Sequence, residues 1–87
     1  MKISNDYILR TVAGKNIVVS VGAKSDFKGM LTLNDTGVFF WNMLKEGTTK
    51  EKMIDATLAE YEVSPEEVSQ DIDEFIKKLT EAKILEG

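Results

Sequence analysis

The sequence predicts an α+β fold in which a three-stranded antiparallel sheet is followed by three helices. The first third of the chain holds short runs of β-branched residues separated by glycines, which is typical of strands. From Asn34 onward, apolar residues recur at steps of three to four, and residues suited to helix capping precede each run. With 87 residues the chain has room for one core, so we expect a single domain over residues 1–87.

Three strands are expected at about residues 7–12, 16–21 and 30–33. The first two flank residues 13–16, a four-residue connection that contains Gly14 and is typical of a β-hairpin. Residues 22–29 are bounded by glycines and are mostly polar, so we expect a loop before the short third strand.

Three helices are expected at about residues 35–46, 49–61 and 65–82. Asn34 is suited to N-cap the first helix, and Gly47 is suited to end it. Gly37 costs this helix up to about 1 kcal/mol relative to Ala, which favours close packing of a neighbouring group there. Of the aromatic residues 39–41 we expect Trp41 and one Phe in the core, with the other Phe at the surface or an interface.

The second and third helices begin with the spacing of a capping box, in which a hydroxyl residue precedes a Glu by three positions. Thr48 and Glu51 have this spacing in the second helix. Ser64 and Glu67 have it in the third, where Pro65 fits the first helical position. Two helices joined by a short link beside a small sheet make a winged-helix-like arrangement.

The residue types that the chain lacks exclude most enzyme chemistry. Without Cys or His there is no thiol nucleophile, no imidazole base and no zinc or iron–sulfur site built on those residues. Carboxylates within residues 66–74 offer oxygen ligands, but their spacing divides them between two helix faces, which favours a solvated helix surface. We therefore expect a binding function with no catalysis, metal or cofactor.

The net charge of −4 opposes binding to a phosphate backbone. Five carboxylates and no cation lie in the N-terminal half of the third helix, so we expect no nucleic-acid partner. A winged-helix nucleic-acid-binding or transcription-associated module remains the alternative that the topology suggests. No apolar run has the length of a signal peptide or of a membrane span, so we expect a cytoplasmic protein without a membrane partner.

The third strand is the most informative feature. An edge strand offers unpaired backbone groups to another extended chain, and residues 30–33 contain no Lys or Pro that would blunt the edge. If the third helix lies beside this strand, the two would wall an apolar groove in which an extended peptide adds as a further strand. The competing interpretations are that a loop covers the edge or that the strand is too short to matter. An open edge also permits a homodimer.

Several motifs resemble the signature of the PqqD family, L-N-x-T-G…W…L…G-T. Residues 33–37 read L-N-D-T-G, Trp41 follows, and residues 44–48 read L-K-E-G-T. The spacing continues through the last two helices at Leu58, Tyr61, Val63, Asp71, Ile72, Phe75 and Leu79. The resemblance covers nearly the whole chain, and it implies the same order of three strands and three helices.

The resemblance also implies a function. PqqD-like proteins are peptide chaperones, the prototype of the RiPP recognition element, which bind the leader part of a ribosomally made precursor peptide. They present it to a modifying enzyme, often a radical SAM protein. A small enzyme subunit without chemistry of its own is a further alternative. The family serves quinone-cofactor, lasso and sulfur-to-α-carbon-linked peptides, so the resemblance does not identify the pathway.

In the family the peptide adds to the third strand and lies in the cleft between it and the third helix. For this chain we expect the same strand addition, with charge helping to select the leader. Carried over to this chain, the strand contacts fall on Met30, Leu31, Thr32 and Leu33. The helix contacts fall among Asp71, Ile72, Phe75, Ile76 and Leu79, and the motif does not decide which of these face the peptide rather than the core.

Overall fold

The computed structural model describes residues 1–21 and 31–86. Its strands are β1 (Lys2–Ile3), β2 (Tyr7–Val12), β3 (Lys15–Ser20), β4 (Leu31–Leu33) and β5 (Leu85–Glu86). Its helices are α1 (Asp35–Glu46), α2 (Lys50–Glu60) and α3 (Pro65–Glu81). Strands β2, β3 and β4 form an antiparallel sheet in that order, and the three helices follow, which confirms the predicted fold class. The loop expected at residues 22–29 lies outside the described residues.

The hairpin between β2 and β3 is tighter than the sequence predicts. Val12 pairs directly with Lys15, so the connection is two residues long rather than four. Ala13 and Gly14 have φ angles of 52° and 78°, and positive φ at both central positions is the requirement of a type I′ turn. This turn matches the twist of the strands, and β3 begins at Lys15, inside the expected connection.

The caps of α1 and α3 are those that the sequence predicts. Asn34 accepts a hydrogen bond at 2.8 Å from the Gly37 backbone N–H, and the Gly47 N–H closes the other end of α1 onto carbonyl groups of its last turn. At α3, the Ser64 hydroxyl accepts a hydrogen bond at 3.2 Å from the Glu67 N–H. The two N-caps satisfy backbone N–H donors, and the Gly47 N–H satisfies carbonyl acceptors, that the helix ends would otherwise leave without a partner.

The cap of α2 lies one residue later than the sequence predicts. Thr49, not Thr48, accepts a hydrogen bond from the Lys52 N–H at 3.3 Å. This shift moves Glu51 off the third helical position, so there is no capping box here. The backbone of Thr48 is used elsewhere, because its N–H donates to the Met1 carbonyl at 2.9 Å and its carbonyl accepts from the Met1 amine at 2.8 Å.

A second, two-stranded sheet joins the two ends of the described chain, and the sequence analysis missed it. Lys2 pairs with Glu86 and Ile3 with Leu85, and the Ser4 N–H extends the ladder to the Ile84 carbonyl at 2.8 Å. The side chains of Ile3 and Ile84 are fully buried. Strands of two residues carry no readable period, so the sequence offers no local signal for them.

The core lies between the sheets and the helices and takes residues from every layer. Trp41 and Phe40 are buried, at 2% and 3% exposure, as predicted for Trp41 and one Phe. Phe39 is half-buried and packs edge-to-face on Tyr61 with ring centroids 5.6 Å apart. Among the described residues, the other fully buried large side chains are Ile3, Val18, Leu44, Met53, Ile72, Leu79 and Ile84.

Candidate functional site

Hydrogen-bond alternation along the hairpin decides which backbone groups of β3 face β4. Val12 and Lys15 close a two-residue turn, and residues in that position form a hydrogen-bonded pair. The Val21 N–H donates to the Asp6 carbonyl at 2.7 Å. Val21 and Asp6 lie six positions from Lys15 and Val12, an even number, so they too are expected to form a hydrogen-bonded pair. The odd-numbered residues of β3 therefore bond to β2, and the even-numbered residues point to β4.

The same alternation places one residue of β4 with its backbone facing outward. Asn16 pairs with Leu33, and Val18 pairs with Leu31, so both leucines direct their backbone groups to β3. Thr32 lies between them, and its N–H and C=O consequently lie on the outer edge of β4. Within residues 1–21 and 31–86, no strand pairs with this edge. The competing interpretation that a loop covers the edge is not tested by the described residues, because residues 22–30 lie outside them.

The opposite edge of the sheet, formed by β2, is hydrogen-bonded to other parts of the chain at Tyr7. Tyr7 opens β2, and the alternation turns its backbone groups away from β3. Its N–H donates to the Ser4 carbonyl at 3.3 Å, and its carbonyl accepts a hydrogen bond from Lys45 Nζ at 3.1 Å. A positioned lysine is a common way to protect an edge from further pairing. At Tyr7, the outer edge of β2 is thus hydrogen-bonded to other parts of the chain. At Thr32, the outer edge of β4 pairs with no strand of the described residues.

A groove of about 500 Å³ opens beside Thr32. It lies between the end of β4, the first turns of α1 and one face of α3. Its lining consists of Thr32, Leu33, Asn34, Thr36, Gly37, Phe40, Asp71, Glu74, Phe75 and Lys78. The four lining residues of α3 recur at steps of three, one and three, which places them on one side of that helix.

The floor of the groove is apolar and closely packed. The rings of Phe40 and Phe75 meet edge-to-face with centroids 5.6 Å apart, a favourable geometry for aromatic pairs. Leu33 is 6% exposed and completes the floor. Gly37 allows the first turn of α1 to pack closely on Leu33. A methyl group at this position would lie 3.2 Å from Leu33 Cβ and 3.3 Å from Asn34 Oδ1. The close approach at Gly37 that the sequence predicts is therefore present.

The rim of the groove is charged. Asp71, Glu74 and Lys78 are all exposed. Among the described residues the ion pair is Lys50 to Asp73, at 2.8 Å, and it involves none of the three rim residues. Within residues 1–21 and 31–86, the two carboxylates and the ammonium group of the rim therefore have no ion-pair partner.

The structure brings together about half of the site residues that the resemblance implies. Thr32, Leu33, Asp71 and Phe75 line the groove. Ile72 and Leu79 are fully buried in the core, so they support α3 rather than line the groove. Leu31 and Ile76 are half-buried against the core and do not line it either. Met30 lies outside the described residues.

Six lining residues were not among the predicted site residues. Two of them, Glu74 and Lys78, were signalled by the helical spacing from Asp71 and Phe75. The others come from the first turns of α1 or its cap, where the sequence analysis looked for helix capping and core packing rather than a ligand surface. They are Asn34, Thr36, Gly37 and Phe40.

The described part of the chain holds neither a metal cluster nor a membrane-spanning helix. No group of three or more acidic residues there is arranged to hold a metal ion. None of the helices assigned in residues 1–21 and 31–86 combines the length and apolar character needed to cross a membrane.

An outward-facing strand edge beside an apolar groove is the arrangement that β-strand addition of a peptide requires. Residues 8–85 match the family model described as coenzyme PQQ synthesis protein D (PqqD), and the chain belongs to this family. The resemblance read from the motifs is thereby confirmed. No curated protein matches the sequence significantly.

Two solved structures are similar to this chain. One is described as TbiB1 in complex with the TbiA(beta) leader peptide, and it has a TM-score of 0.80 and 28% sequence identity, covering 100% of this chain and 96% of its own. The other is described as lasso peptide synthetase B1 complexed with the leader peptide. It has a TM-score of 0.72 and 18% identity, covering 92% of this chain and 89% of its own, and it supports the fold alone.

Proposed function

We propose that this protein is a non-enzymatic adaptor that binds the leader segment of a ribosomally made precursor peptide. Membership of the PqqD family supports this function. The similar TbiB1 structure, which aligns over the whole of this chain, is a complex with a leader peptide. The observation that carries the proposal is the outward-facing backbone of Thr32 beside the groove.

The proposed binding mode is the addition of an extended peptide to the outer edge of β4. The Thr32 N–H and C=O would pair with one residue of the peptide, and side chains of its neighbours would enter the groove. An apolar side chain over Phe40 and Phe75 would contribute hydrophobic burial. A disordered leader loses conformational entropy on binding, so we expect an affinity that is moderate for the area covered.

The adaptor role requires no chemistry of its own. The groove offers hydroxyl, amide, carboxylate and ammonium side chains, without a Cys or His to act as nucleophile or imidazole base. A separate modifying enzyme, such as a radical SAM protein, would therefore carry out the reaction on the bound precursor. The adaptor would contribute by holding the leader, which raises the effective concentration of the attached core peptide at that enzyme.

The nucleic-acid alternative gains no support from the structure. On α3, a winged-helix protein would need cations positioned to neutralise phosphates. The exposed residues of the first half of this helix include Glu66, Glu67 and Asp71 instead. We do not propose it.

Binding can be tested with peptides selected from a display library of random linear sequences against the full chain. The strongest binder would be synthesised and titrated into the ¹⁵N-labelled protein while amide shifts are followed. The proposal predicts the largest shifts in residues 31–37 and 71–78, and no comparable response to a duplex DNA at moderate salt. Failure to select any binder, or shifts centred on α2 or on β2, would contradict it.

A further inference from the structure

The orientation of side chains in a bound strand follows from that of Thr32. Residues directly opposite each other in an antiparallel pair direct their side chains to the same face of the sheet. Thr32 is exposed, whereas Leu33 points to the buried face. The peptide residue paired with Thr32 would therefore point to solvent, and its neighbour opposite Leu33 would enter the groove above the pair formed by Phe40 and Phe75.

The rim places charge around that apolar position. Asp71 and Glu74 belong to the turn of α3 on which Phe75 lies, and Lys78 follows one turn later. Neither carboxylate has a cationic partner within salt-bridge distance among the described residues. A peptide seated in the groove would displace water from this rim, which strengthens its charge interactions compared with those in open solvent.

We propose that the groove selects leader segments in which a basic side chain lies close to the apolar residue that contacts Phe40 and Phe75. This inference rests on the proposed function and adds the sign of the charge that is recognised. Two carboxylates against one ammonium make a cation the complementary partner of the rim. An acidic side chain at the same place would face Asp71 and Glu74, so segments that carry one are selected against.

The test uses a display library of random linear peptides, selected against the full chain at low salt. The expected result is an enrichment of Lys and Arg over Asp and Glu at positions adjacent to the shared apolar residue. In the strongest binder, replacement of the basic residue by Gln should weaken binding about threefold to tenfold, within the range of a partly desolvated charge pair. That difference should shrink at high salt, because rim charges are screened.

Matched protein variants distinguish an effect of the rim carboxylates on peptide preference from an effect of the protein's net charge. Asp71→Asn combined with Glu74→Gln should abolish the preference for the basic peptide over its Gln version. Glu51→Gln combined with Asp55→Asn changes the net charge equally on exposed positions of α2, outside the groove, and should leave the preference intact. Lys78→Gln should increase it.

The outcomes distinguish this inference from the function on which it rests. Selected peptides that bind the groove without a basic preference, or that prefer acidic residues, overturn the inference and leave the adaptor function standing. An equal loss of preference in the α2 control overturns it as well, because the effect would then come from net charge. Selection of no groove-binding peptide overturns both.

Discussion

The ring of Phe40 on α1 meets the ring of Phe75 on α3 edge-to-face, with centroids 5.6 Å apart. This contact joins the two helices that border the groove, and both rings line it. Phe75 is 9% exposed and Phe40 is 3% exposed, so Phe75 is the ring that a ligand reaches more readily. The pair thus serves the core and the floor of the groove together.

Phe75→Leu should weaken peptide binding while the protein stays folded. The substitution keeps most of the apolar volume but removes the aromatic pair, which is worth about 1 kcal/mol. Phe39→Leu is a matched control, because Phe39 makes an edge-to-face contact at the same 5.6 Å with Tyr61 and does not line the groove. Chemical denaturation should show that both variants stay folded, with the larger loss of stability for the more buried Phe75, whereas titration calorimetry should show weaker binding for Phe75→Leu alone. Equal affinities in the two variants would remove Phe75 from the site.

Gly37→Ala should stabilise the protein less than a Gly-to-Ala substitution in a helix interior normally does. Replacing Gly by Ala in a helix stabilises it by up to about 1 kcal/mol. Here the new methyl group would press on Leu33 Cβ at 3.2 Å and on the capping oxygen of Asn34 at 3.3 Å, so the gain should be offset. Because Leu33 also lines the groove, peptide affinity should fall. A full gain in the free energy of unfolding with unchanged affinity would show that the contact relaxes without consequence.

Thr49→Ala should cost about 1 kcal/mol of stability, the usual loss of an N-cap. Thr48→Ala should cost less, because the hydrogen bonds from Thr48 to Met1 use backbone atoms. Thermal unfolding of the two variants measures the difference. A larger loss for Thr48→Ala would place the cap of α2 at Thr48 after all.

The positions of these two threonines show what local sequence can and cannot decide. Either hydroxyl suits an N-cap, and a Glu three residues after Thr48 favours the first. The choice is made by Met1, whose backbone pairs with Thr48 across 47 positions of sequence. Contacts over such distances leave no trace in a capping pattern. The pairing of β1 with β5 is also a contact between distant parts of the sequence, so no local pattern predicts it. The N-cap of α3 depends on neighbouring residues alone, and Ser64 and Pro65 predict it correctly.

The sequence predicts the elements that form the candidate site, but not which residues of α3 line it. The absence of Lys and Pro from residues 30–33 indicated an unblunted edge, and the apolar spacing of α3 indicated a buried face. The spacing could not say which flank of that face borders β4, so Ile72 and Leu79 were grouped with Asp71 and Phe75. Packing separates them, because the first two are fully buried and the second two line the groove.

Lys45→Met should make the protein more prone to self-association. The variant keeps the apolar stem but removes the donor that holds the Tyr7 carbonyl at 3.1 Å, which leaves the start of the β2 edge less protected. Sedimentation velocity over a range of protein concentrations should show more dimer or larger species than in the parent protein. Lys50→Met is the control for charge, since Lys50 pairs with Asp73 away from that edge. Equal behaviour of both variants would show that Lys45 has no protective role.

Thr32→Pro tests the strand-addition mechanism itself, because proline removes a backbone N–H. Proline is tolerated on an edge strand where that N–H faces outward, and the register gives Thr32 this orientation. The loss of one hydrogen bond and the unpaired acceptor left on the peptide should weaken binding about tenfold. Thr32→Val keeps the N–H and should bind normally, which separates the backbone contribution from that of the hydroxyl.

Thr11→Pro is the matched control, since Thr11 lies opposite Asn16 in the hairpin and directs its N–H to the other edge of the sheet. The central measurement is the dissociation constant of one selected peptide for Thr32→Pro and for Thr11→Pro, with hydrogen exchange of core amides confirming that both are folded. The account predicts a loss of about tenfold for Thr32→Pro and none for Thr11→Pro. Undiminished affinity in a folded Thr32→Pro protein would contradict strand addition at β4, and if that variant does not fold, a Thr32 amide whose hydrogen exchange is not slowed by saturating peptide would contradict it equally.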